Sequence, residues 1–397
     1  MNLLTVEDAR QRMLAWTTVL PAETVGLGEA AGRVLVEDVT ALRDQPPYPA
    51  SAMDGWALAA GQGPGVFAIV GESAAGNPFT GEVTAGQAVR IFTGAALPPG
   101  ADAVVIQEEA TRDGDRVRLP EAPRGRHVRP AGCDFPGGAV VLERGMRLDP
   151  WRLSLAAAAG RGELRVARRP RVVFLSTGEE IIEPGATPGP YEIFDSGSMA
   201  LVALARDWGG EARRLRPVRD DVEATTEAVR GEGCDLLVTV GGASVGDHDL
   251  VKPAMQALGL EQAVGSVAMR PGKPTWFGRL GDGRLILGLP GNPASGMVAA
   301  ELFLRPLLLA MQGAATALPL IHARAGHAFE ANGPREHWMR ARLAPSAEGM
   351  QVAQAFADQD SSLISVFASA DALVRRPAGA AALAAGELIE TLPLSRA

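Results

Sequence analysis

Three acidic side chains lie where predicted strands give way to helices. Glu180 follows the apolar run VVFL at 172–175. Asp195 precedes the helical pattern of SGSMALVALARDWG, and Asp249 ends the loop GGASVGDHD. Ligands of an open α/β sheet bind at the carboxyl ends of its strands. The three acids are therefore expected to converge at that edge.

These acids have a structural and a chemical interpretation. Each of them alone could be a helix cap or a solvated loop residue. Together, carboxylates raise one another's pKa unless a cation lies between them. Mg²⁺ takes carboxylate oxygens and commonly shares substrate phosphates. Glu180, Asp195 and Asp249 are therefore predicted to bind a metal ion beside a nucleotide or another phosphorylated ligand.

The same edge offers groups that bind anions. Gly241, Gly242 and Gly246 let backbone N–H groups approach a ligand closely, and Ser244 adds a hydroxyl. The alternative is a glycine-rich turn in which Asp249 caps the next helix.

Two further segments bring candidate binding residues. In MRPGKP, Lys273 lies between glycine and proline, which hold it in place, and Arg270 precedes it. A point charge there suits an oxyanion, although a solvated turn lysine would look the same. The last strand runs into LPGNPAS, which brings Pro290, Pro293 and Ser295 to a helix N-terminus.

The stretch PPYPASAMDGWAL at residues 46–58 reads as a stiff, extended arm that ends at Asp54. Proline fixes φ and donates no backbone N–H, which excludes a helix interior or a central strand. The arm could be a domain linker with a turn at Asp54 and Gly55. It could also present a carboxylate to a site.

Strand and helix patterns alternate from residue 170 to residue 312, which predicts a parallel, doubly wound α/β domain. Short β-like runs separated by glycine and proline fill residues 64–145, and short strands return after residue 315. Helical patterns at residues 4–20 and 150–159 flank the first β-rich region. They are expected to form one body into which that region is inserted.

Composition excludes several classes of protein. The 397 residues are 47% hydrophobic and 21% charged, with a net charge of −8 and no long basic run, so a nucleic-acid partner is not expected. Two cysteines argue against a disulfide framework and a cysteine zinc site. The N-terminus carries acids where a signal peptide needs a basic segment. The apolar helix at 293–312 is interrupted by Glu301 and Arg305, so we expect a cytoplasmic protein without membrane contact.

Eight motifs, in order, resemble the molybdopterin molybdenumtransferase family of the MoeA type, which includes the C-terminal domain of gephyrin. They are PPYPASAMDGWAL, RIFTGAALPPGADAVV, RPAGCDFPGG, FLSTGEEI, IFDSGS, TVGGASVGDHD, MRPGKPTWFG and LPGNPAS. Together they cover nearly the whole chain.

The resemblance implies a multidomain fold of four parts and a homodimer. An elongated helical body would comprise residues 1–45 and 140–168, with an inserted β-rich domain at 46–139. A molybdopterin-binding α/β domain would follow at 169–314, and a C-terminal β-barrel-like domain at 315–397.

The resemblance also implies a reaction. Molybdate would be inserted into adenylylated molybdopterin with release of AMP in a Mg²⁺-dependent step. Transient contact with a molybdopterin adenylyltransferase and with molybdoenzyme maturation proteins would follow from this role.

Residue roles carry over at the matching positions. The catalytic set implied by the family is Asp54, Thr93, Asp134, Glu180, Asp195, Asp249 and Lys273. The molybdate contacts would be Lys273, Ser295, Arg340 and Ser361. Arg340 is placed from REHWMR, and Ser361 from QDSSL, where Ser362 is the alternative. Arg270 stands where a lysine is common in the family.

Two alternatives remain open from the sequence. One is another nucleotide-handling enzyme on the same α/β domain, such as the adenylyltransferase, which has a GGTG loop instead of GGASVG. The other is a non-catalytic molybdopterin-binding scaffold, which would not need the acids to be intact.

Overall fold

The structure is a computed structural model that describes residues 3–242 and 250–394. The chain divides into two compact units. The larger unit comprises Met1–Glu23, Gly32–Val34 and Ala167–Ala397, and the smaller unit comprises Thr24–Ala31 and Leu35–Val166.

Side-chain caps begin several helices, since Thr5, Asp149, Asp195 and Asp221 each accept the backbone N–H three residues ahead. A cap of this kind satisfies a donor that the helix itself leaves free. The helices are α1 Val6–Ala15, α2 Pro150–Ala158, α3 Ser196–Asp207, α4 Val222–Val229, α5 Val251–Ala257, α6 Pro293–Ala299, α7 Arg305–Met311 and α8 Ile364–Ala368. Short 3₁₀ helices cover Leu27–Glu29 and Gln107–Glu109, and a π-helical turn covers Ala300–Leu304.

The strands form three six-stranded sheets and several two-stranded ribbons. Those up to the first α/β strand are β1 Ala22–Gly26, β2 Val39–Thr40, β3 Ala50–Ser51, β4 Gly55–Leu58, β5 Gly65–Ser73, β6 Gln87–Ile91, β7 Ala103–Ile106, β8 Thr111–Asp113, β9 Arg116–Leu119, β10 Val128–Arg129, β11 Val140–Leu142, β12 Glu163–Ala167 and β13 Arg171–Ser176. The others are β14 Ile181–Ile182, β15 Ile193–Phe194, β16 Glu211–Arg214, β17 Leu236–Val240, β18 Glu261–Val264, β19 Met269–Arg270, β20 Trp276–Arg279, β21 Leu285–Leu289, β22 Ile321–Ala325, β23 Glu336–Pro345, β24 Gln351–Ala355, β25 Ala372–Arg376 and β26 Leu388–Pro393.

The larger unit is built around the sheet β16-β13-β17-β21-β20-β18. Its first four strands are parallel, and β20 and β18 add an antiparallel edge. Alternate side chains of the central strands enter two separate cores, so that Phe174 packs in one and Leu175 in the other. Burial on both faces explains the continuous apolar runs of these strands. The expected doubly wound α/β domain is confirmed.

The C-terminal region of this unit is a closed five-stranded barrel. The order β23-β24-β22-β26-β25 closes because β25 also pairs with β23. Strand β19, in the MRPGKP motif, pairs with β23 of this region and not with the α/β sheet. The expected barrel-like domain is confirmed.

The smaller unit contains the sheet β7-β4-β6-β5-β9-β8. Trp56, Phe67, Val105 and Val117 are buried in its core. A second core lies around α2, where Leu148, Ala156 and Leu164 are buried.

The two helices that flank the β-rich region fall in different compact units of the structure, and the single helical body expected from the sequence stays a prediction. Helix α1 buries Val6, Ala9 and Met13 in a core of the α/β sheet, whereas α2 belongs to the smaller unit. The apolar face of α1 packs against residues that lie far along the chain, in the α/β sheet.

Helix Pro293–Met311 is long and apolar enough to cross a membrane, with a mean hydropathy of 1.5, but 83% of that window is buried inside the protein. It is the core helix of the larger unit. Pro306 has no N–H for the preceding turn, which accounts for the π-helical turn before it. Glu301 is buried there beside Arg305, and burial raises the pKa of its carboxyl.

Gly288 of β21 provides a test of core packing. The indole of Trp276 lies directly over it, so a Cβ at position 288 would be 1.9 Å from Nε1 of that indole. We expect Gly288→Ala to lower the free energy of unfolding by about 1–3 kcal/mol, because the buried ring must move.

The matched control is Gly233→Ala in the same unit, where an added Cβ meets nothing within 4 Å. Its effect should stay within about 0.5 kcal/mol in the same chemical-denaturation measurement. Equal effects of the two substitutions would contradict this packing argument.

Candidate active site

A cleft of about 1210 Å³ opens in the larger unit at the carboxyl ends of β13, β17 and β21. The edge of the sheet predicted from the sequence is thus the edge that carries a cavity. Seven of the predicted site residues line it: Glu180, Asp195, Gly241, Gly242, Lys273, Pro290 and Pro293.

The short parallel pair β14 and β15 carries an acid at each end, Glu180 before β14 and Asp195 after β15, and both acids line the cleft. The carbonyl of Glu180 accepts the N–H of Ile193, and the N–H of Asp195 donates to the carbonyl of Ile182. The Glu180 side chain is exposed and has no hydrogen-bond or ion-pair partner within the described ranges. Its carboxylate is therefore available to a ligand or a cation.

Asp195 is differently engaged. It is 4% exposed and caps α3, where Oδ1 accepts the backbone N–H of Ser198 at 3.1 Å and Oδ2 accepts the hydroxyl of the same residue. Nη1 of Arg214 is 3.8 Å from Oδ2. Arg214 also forms a two-point pair with Glu183 and lowers the pKa of that carboxyl. Asp195 thus has a structural role, and each oxygen keeps capacity for a second contact.

The glycine pair packs against the first strand end. A Cβ on Gly241 would be 2.7 Å from the carbonyl oxygen of Thr177, and one on Gly242 would be 2.2 Å from the side chain of Val251. Both glycines also have positive φ, at 98° and 56°. Glycine is therefore required at both positions by space and by conformation.

Lys273 is held by a tight turn, as expected. Gly272 has φ of 109°, the Thr275 hydroxyl donates to the Gly272 carbonyl at 2.7 Å, and the Lys273 carbonyl accepts the N–H of Val267. The ammonium group is exposed on the cleft and has no carboxylate within 4.0 Å in the part of the chain that the structure describes. The turn thus fixes the backbone of Lys273, and the ammonium group is available to an anion in the cleft.

The predicted metal site lies only partly within the described residues. Asp249, with Ser244 and Gly246, lies outside the described residues. Among residues 3–242 and 250–394, no three His, Cys, Asp or Glu side chains lie close enough together to hold a metal ion. Of the predicted ligands, Glu180 is open, and Asp195 is already engaged by Ser198.

Four predicted ligand-binding residues do not line the cleft: Arg270, Ser295, Arg340 and Ser361. Ser295 is 5% exposed within α6. The Ser361 hydroxyl accepts a hydrogen bond from Asn292 at 2.7 Å, whereas Ser362 lies on the cleft wall. Ser362 is therefore the serine of this pair that meets the cavity.

Arg340 is fully buried on β23. Its Nε donates to Gln359 Oε1 and its Nη1 to the carbonyl of Leu363, while Nη2 has no partner in the described structure. Burial lowers the pKa of this guanidinium. Burial, with Arg270 and other arginines nearby, lowers the pKa of His337 to about 4, so that this imidazole is neutral at neutral pH.

In the smaller unit, Asp54 is held by Thr93. Its Oδ1 accepts the Thr93 backbone N–H at 2.7 Å and the Thr93 hydroxyl at 2.8 Å. These bonds, assisted by Arg90, lower the pKa of the Asp54 carboxyl. Gly55 is the first residue of β4 and not part of a turn. A Cβ at this position would be 2.0 Å from the carbonyl oxygen of Val105, so the neighbouring strand leaves room only for glycine.

Asp134 lines a separate cavity of about 600 Å³ within the smaller unit. The proline arm forms one wall, since the Asp134 N–H donates to the Gln45 carbonyl and the Gly132 N–H to the Pro46 carbonyl. Arg43 and Arg129 also line this cavity. Neither arginine was among the predicted site residues, because nothing in its spacing indicates a ligand.

Two further pairs were not among the predicted site residues. Ser176 and Thr177 line the larger cleft, and Ser198 and Arg214 contact Asp195. The signal available for the first pair was their position directly after an apolar strand. No pattern connects Arg214 to Asp195.

The Asp54–Thr93 contact predicts a pKa change. Thr93→Val removes the hydroxyl bond but leaves the backbone bond, so the pKa of Asp54 should rise and still remain below its ordinary value. Carboxyl ¹³C NMR titration measures this, with Thr93→Ser as the control that keeps the hydroxyl.

Because the pKa of Asp54 is depressed in the folded state, its stabilisation is present above the unfolded pKa of about 3.9 and is lost as pH falls through the folded value. The stability difference between wild type and Thr93→Val should therefore close in acid. A difference that is the same at pH 7 and in acid would contradict this origin.

Comparisons with known proteins cover almost the entire chain. A family model for the MoeA N-terminal region (domain I and II) matches residues 4–160, and one for a probable molybdopterin binding domain matches residues 173–310. A model for the MoeA C-terminal region (domain IV) matches residues 322–394.

Similar proteins and solved structures indicate the same family as the family models. The chain is 30% identical to a molybdopterin molybdenumtransferase of Staphylococcus aureus (strain MRSA252) over 403 residues, covering 98% of this chain and 96% of that protein. It is 35% identical to the protein of that name from Haemophilus influenzae over 320 residues, covering 78% of each. A crystal structure of the molybdopterin biosynthesis MoeA protein of Pyrococcus horikoshii superimposes with a TM-score of 0.85 at 25% identity, covering 99% of this chain and 100% of that one. This protein therefore belongs to the molybdopterin molybdenumtransferase (MoeA) family.

Proposed function

We propose that this protein inserts molybdate into adenylylated molybdopterin and releases AMP, the last step in forming molybdenum cofactor. Family membership gives it a transferase role in molybdenum cofactor biosynthesis. The observation that supports the specific step is the cleft at the strand ends. It combines a cation and an acid that have no ion-pair partner among residues 3–242 and 250–394 with a close-packed glycine pair.

The positive charge and the glycine backbone of the cleft would bind different parts of the substrates. Lys273, held by its turn, would bind the molybdate dianion, which needs a local cation among acids. The backbone at Gly241 and Gly242 would lie against the phosphate of the adenylylated pterin. This arrangement orients the two reactants in one cavity, so that the transfer becomes effectively intramolecular.

A Mg²⁺ ion fits the donor set in part. Glu180 would hold it through its open carboxylate, and Asp195 would add one oxygen beyond its bonds to Ser198. When bound, Mg²⁺ would neutralise charge on the phosphate that leaves with AMP. Mg²⁺ dependence is thus part of the proposal.

We expect a homodimer in the cytoplasm, transient contact with a molybdopterin adenylyltransferase and with molybdoenzyme maturation proteins, and no nucleic-acid partner. Analytical ultracentrifugation of the purified protein tests the dimer directly.

The test of the proposed function is incubation with adenylylated molybdopterin, Mg²⁺ and molybdate, followed by measurement of AMP release and reconstitution of an apo-molybdoenzyme. Molybdate- and Mg²⁺-dependent AMP release supports the proposal. Binding of the pterin without AMP release would identify a scaffold instead.

Glu180→Gln should lower the rate of AMP release by about 10- to 1000-fold, since it removes the one described acid of the cleft that has no internal partner. Its matched control is Glu179→Gln, an exposed neighbour that does not line the cleft. Similar losses in both variants would show that local structure, and not the carboxylate at position 180, is responsible.

Lys273→Ala should raise the KM for molybdate at least about 10-fold while the affinity for adenylylated molybdopterin changes little, because only the oxyanion loses its cation. Lys273→Arg keeps the charge and should recover part of the loss. If both affinities fall together, Lys273 does not have this separate role.

A further inference from the structure

Thr177 directly follows β13 of the α/β sheet and lines the cleft. It is 5% exposed, and its Oγ1 has no hydrogen-bond partner in the described structure. A buried hydroxyl without a partner is uncommon in native proteins and calls for a physical explanation.

The position of this residue is rigid. The Thr177 N–H donates to the carbonyl of Val240 at 3.1 Å, and Thr177 forms a parallel bridge with Val218. Both neighbouring chain segments therefore hold its backbone. A β-branched side chain on such a backbone has few rotamers available. The hydroxyl is thus presented in a nearly fixed place.

The hydroxyl lies against the start of the glycine-rich loop. A Cβ placed on Gly241 or on Gly242 would be 3.3 Å from Thr177 Oγ1. The glycine pair thus covers the hydroxyl closely. A ligand that reaches the glycine backbone also comes within reach of the threonine side chain.

The neighbouring strand supplies a comparison. Thr239 of β17 is fully buried, and its Oγ1 also lacks a partner among the described residues, but it does not line the cleft. Two threonines of one sheet therefore share burial and an unpaired hydroxyl. They differ in access to the cavity.

We propose that the Thr177 hydroxyl is a substrate-binding group that donates a hydrogen bond to a phosphate oxygen of adenylylated molybdopterin. This assignment rests on the proposed function for the identity of the ligand. The ligand chemistry required is a phosphate anion at the glycine pair, which would give the hydroxyl a partner that none of the described residues provides. The assignment requires Gly241 and Gly242 to shift on binding, because their backbone covers the hydroxyl in the structure.

The test compares Thr177→Val, Thr177→Ser and Thr239→Val in the full-length protein. Valine has the shape of threonine without the hydroxyl, so neither valine variant loses a side-chain hydrogen bond to the described residues. The melting temperature of each should equal or exceed that of wild type. The Kd for adenylylated molybdopterin, measured by fluorescence of the pterin without molybdate, is the second readout.

Thr177→Val should raise this Kd about 10- to 100-fold, because a hydrogen bond to a charged oxygen is lost. Thr177→Ser and Thr239→Val should stay within about threefold of wild type. An unchanged Kd in Thr177→Val overturns the proposal. So does a melting temperature that falls by several degrees in Thr177→Val but not in Thr239→Val, since the hydroxyl would then have a structural partner such as a bound water.

Failure of the proposed function has a separate signature. If wild type binds adenylylated molybdopterin but releases no AMP, the proposed reaction is wrong, and the Kd comparison still decides the role of Thr177. If wild type does not bind this ligand, both proposals fall.

Discussion

The burial of both faces of the central parallel strands determines where this protein can place polar chemistry. Strands β13, β17 and β21 are apolar along their lengths because alternate side chains enter two different cores. A charged group within them would be desolvated at high cost. Functional side chains are therefore confined to the segments after the strand ends, and parallel strands bring those ends to one edge. The position of the cleft follows from this constraint.

Close packing around glycine residues fixes the backbone at that edge and in the sheet of the smaller unit. Gly241 and Gly242 lie against Thr177, and Gly55 lies against Val105 in the sheet that carries Asp54. A side chain at any of these positions would collide with its neighbour. The glycines thus let a polar side chain be placed beside a tightly packed backbone, which keeps both in fixed positions.

The charged groups of the larger unit fall into two classes. Asp195 and Arg340 are buried and have internal partners, namely Ser198 for the first and Gln359 with the Leu363 carbonyl for the second. Lys273 and Glu180 are exposed on the cleft without such partners in the described part of the chain. Internal hydrogen bonds hold the first class in place. The second class keeps its charge for a ligand.

The sequence by itself determined the doubly wound domain, the barrel-like C-terminal region and the set of strand ends at which the cleft lies. The doubly wound domain and the strand ends follow from local patterns of apolar runs, glycine and proline, whereas the barrel-like form of the C-terminal region was implied by the family resemblance. Tertiary structure alone decided that α1 packs with the α/β sheet, that Arg340 is buried and that Ser362 rather than Ser361 meets the cavity. It also decided that Arg214 lies beside Asp195 and that the Thr177 hydroxyl has no partner among the described residues. These features depend on contacts between segments far apart in the chain, and periodicity carries no information about which distant side chain will occupy a given space.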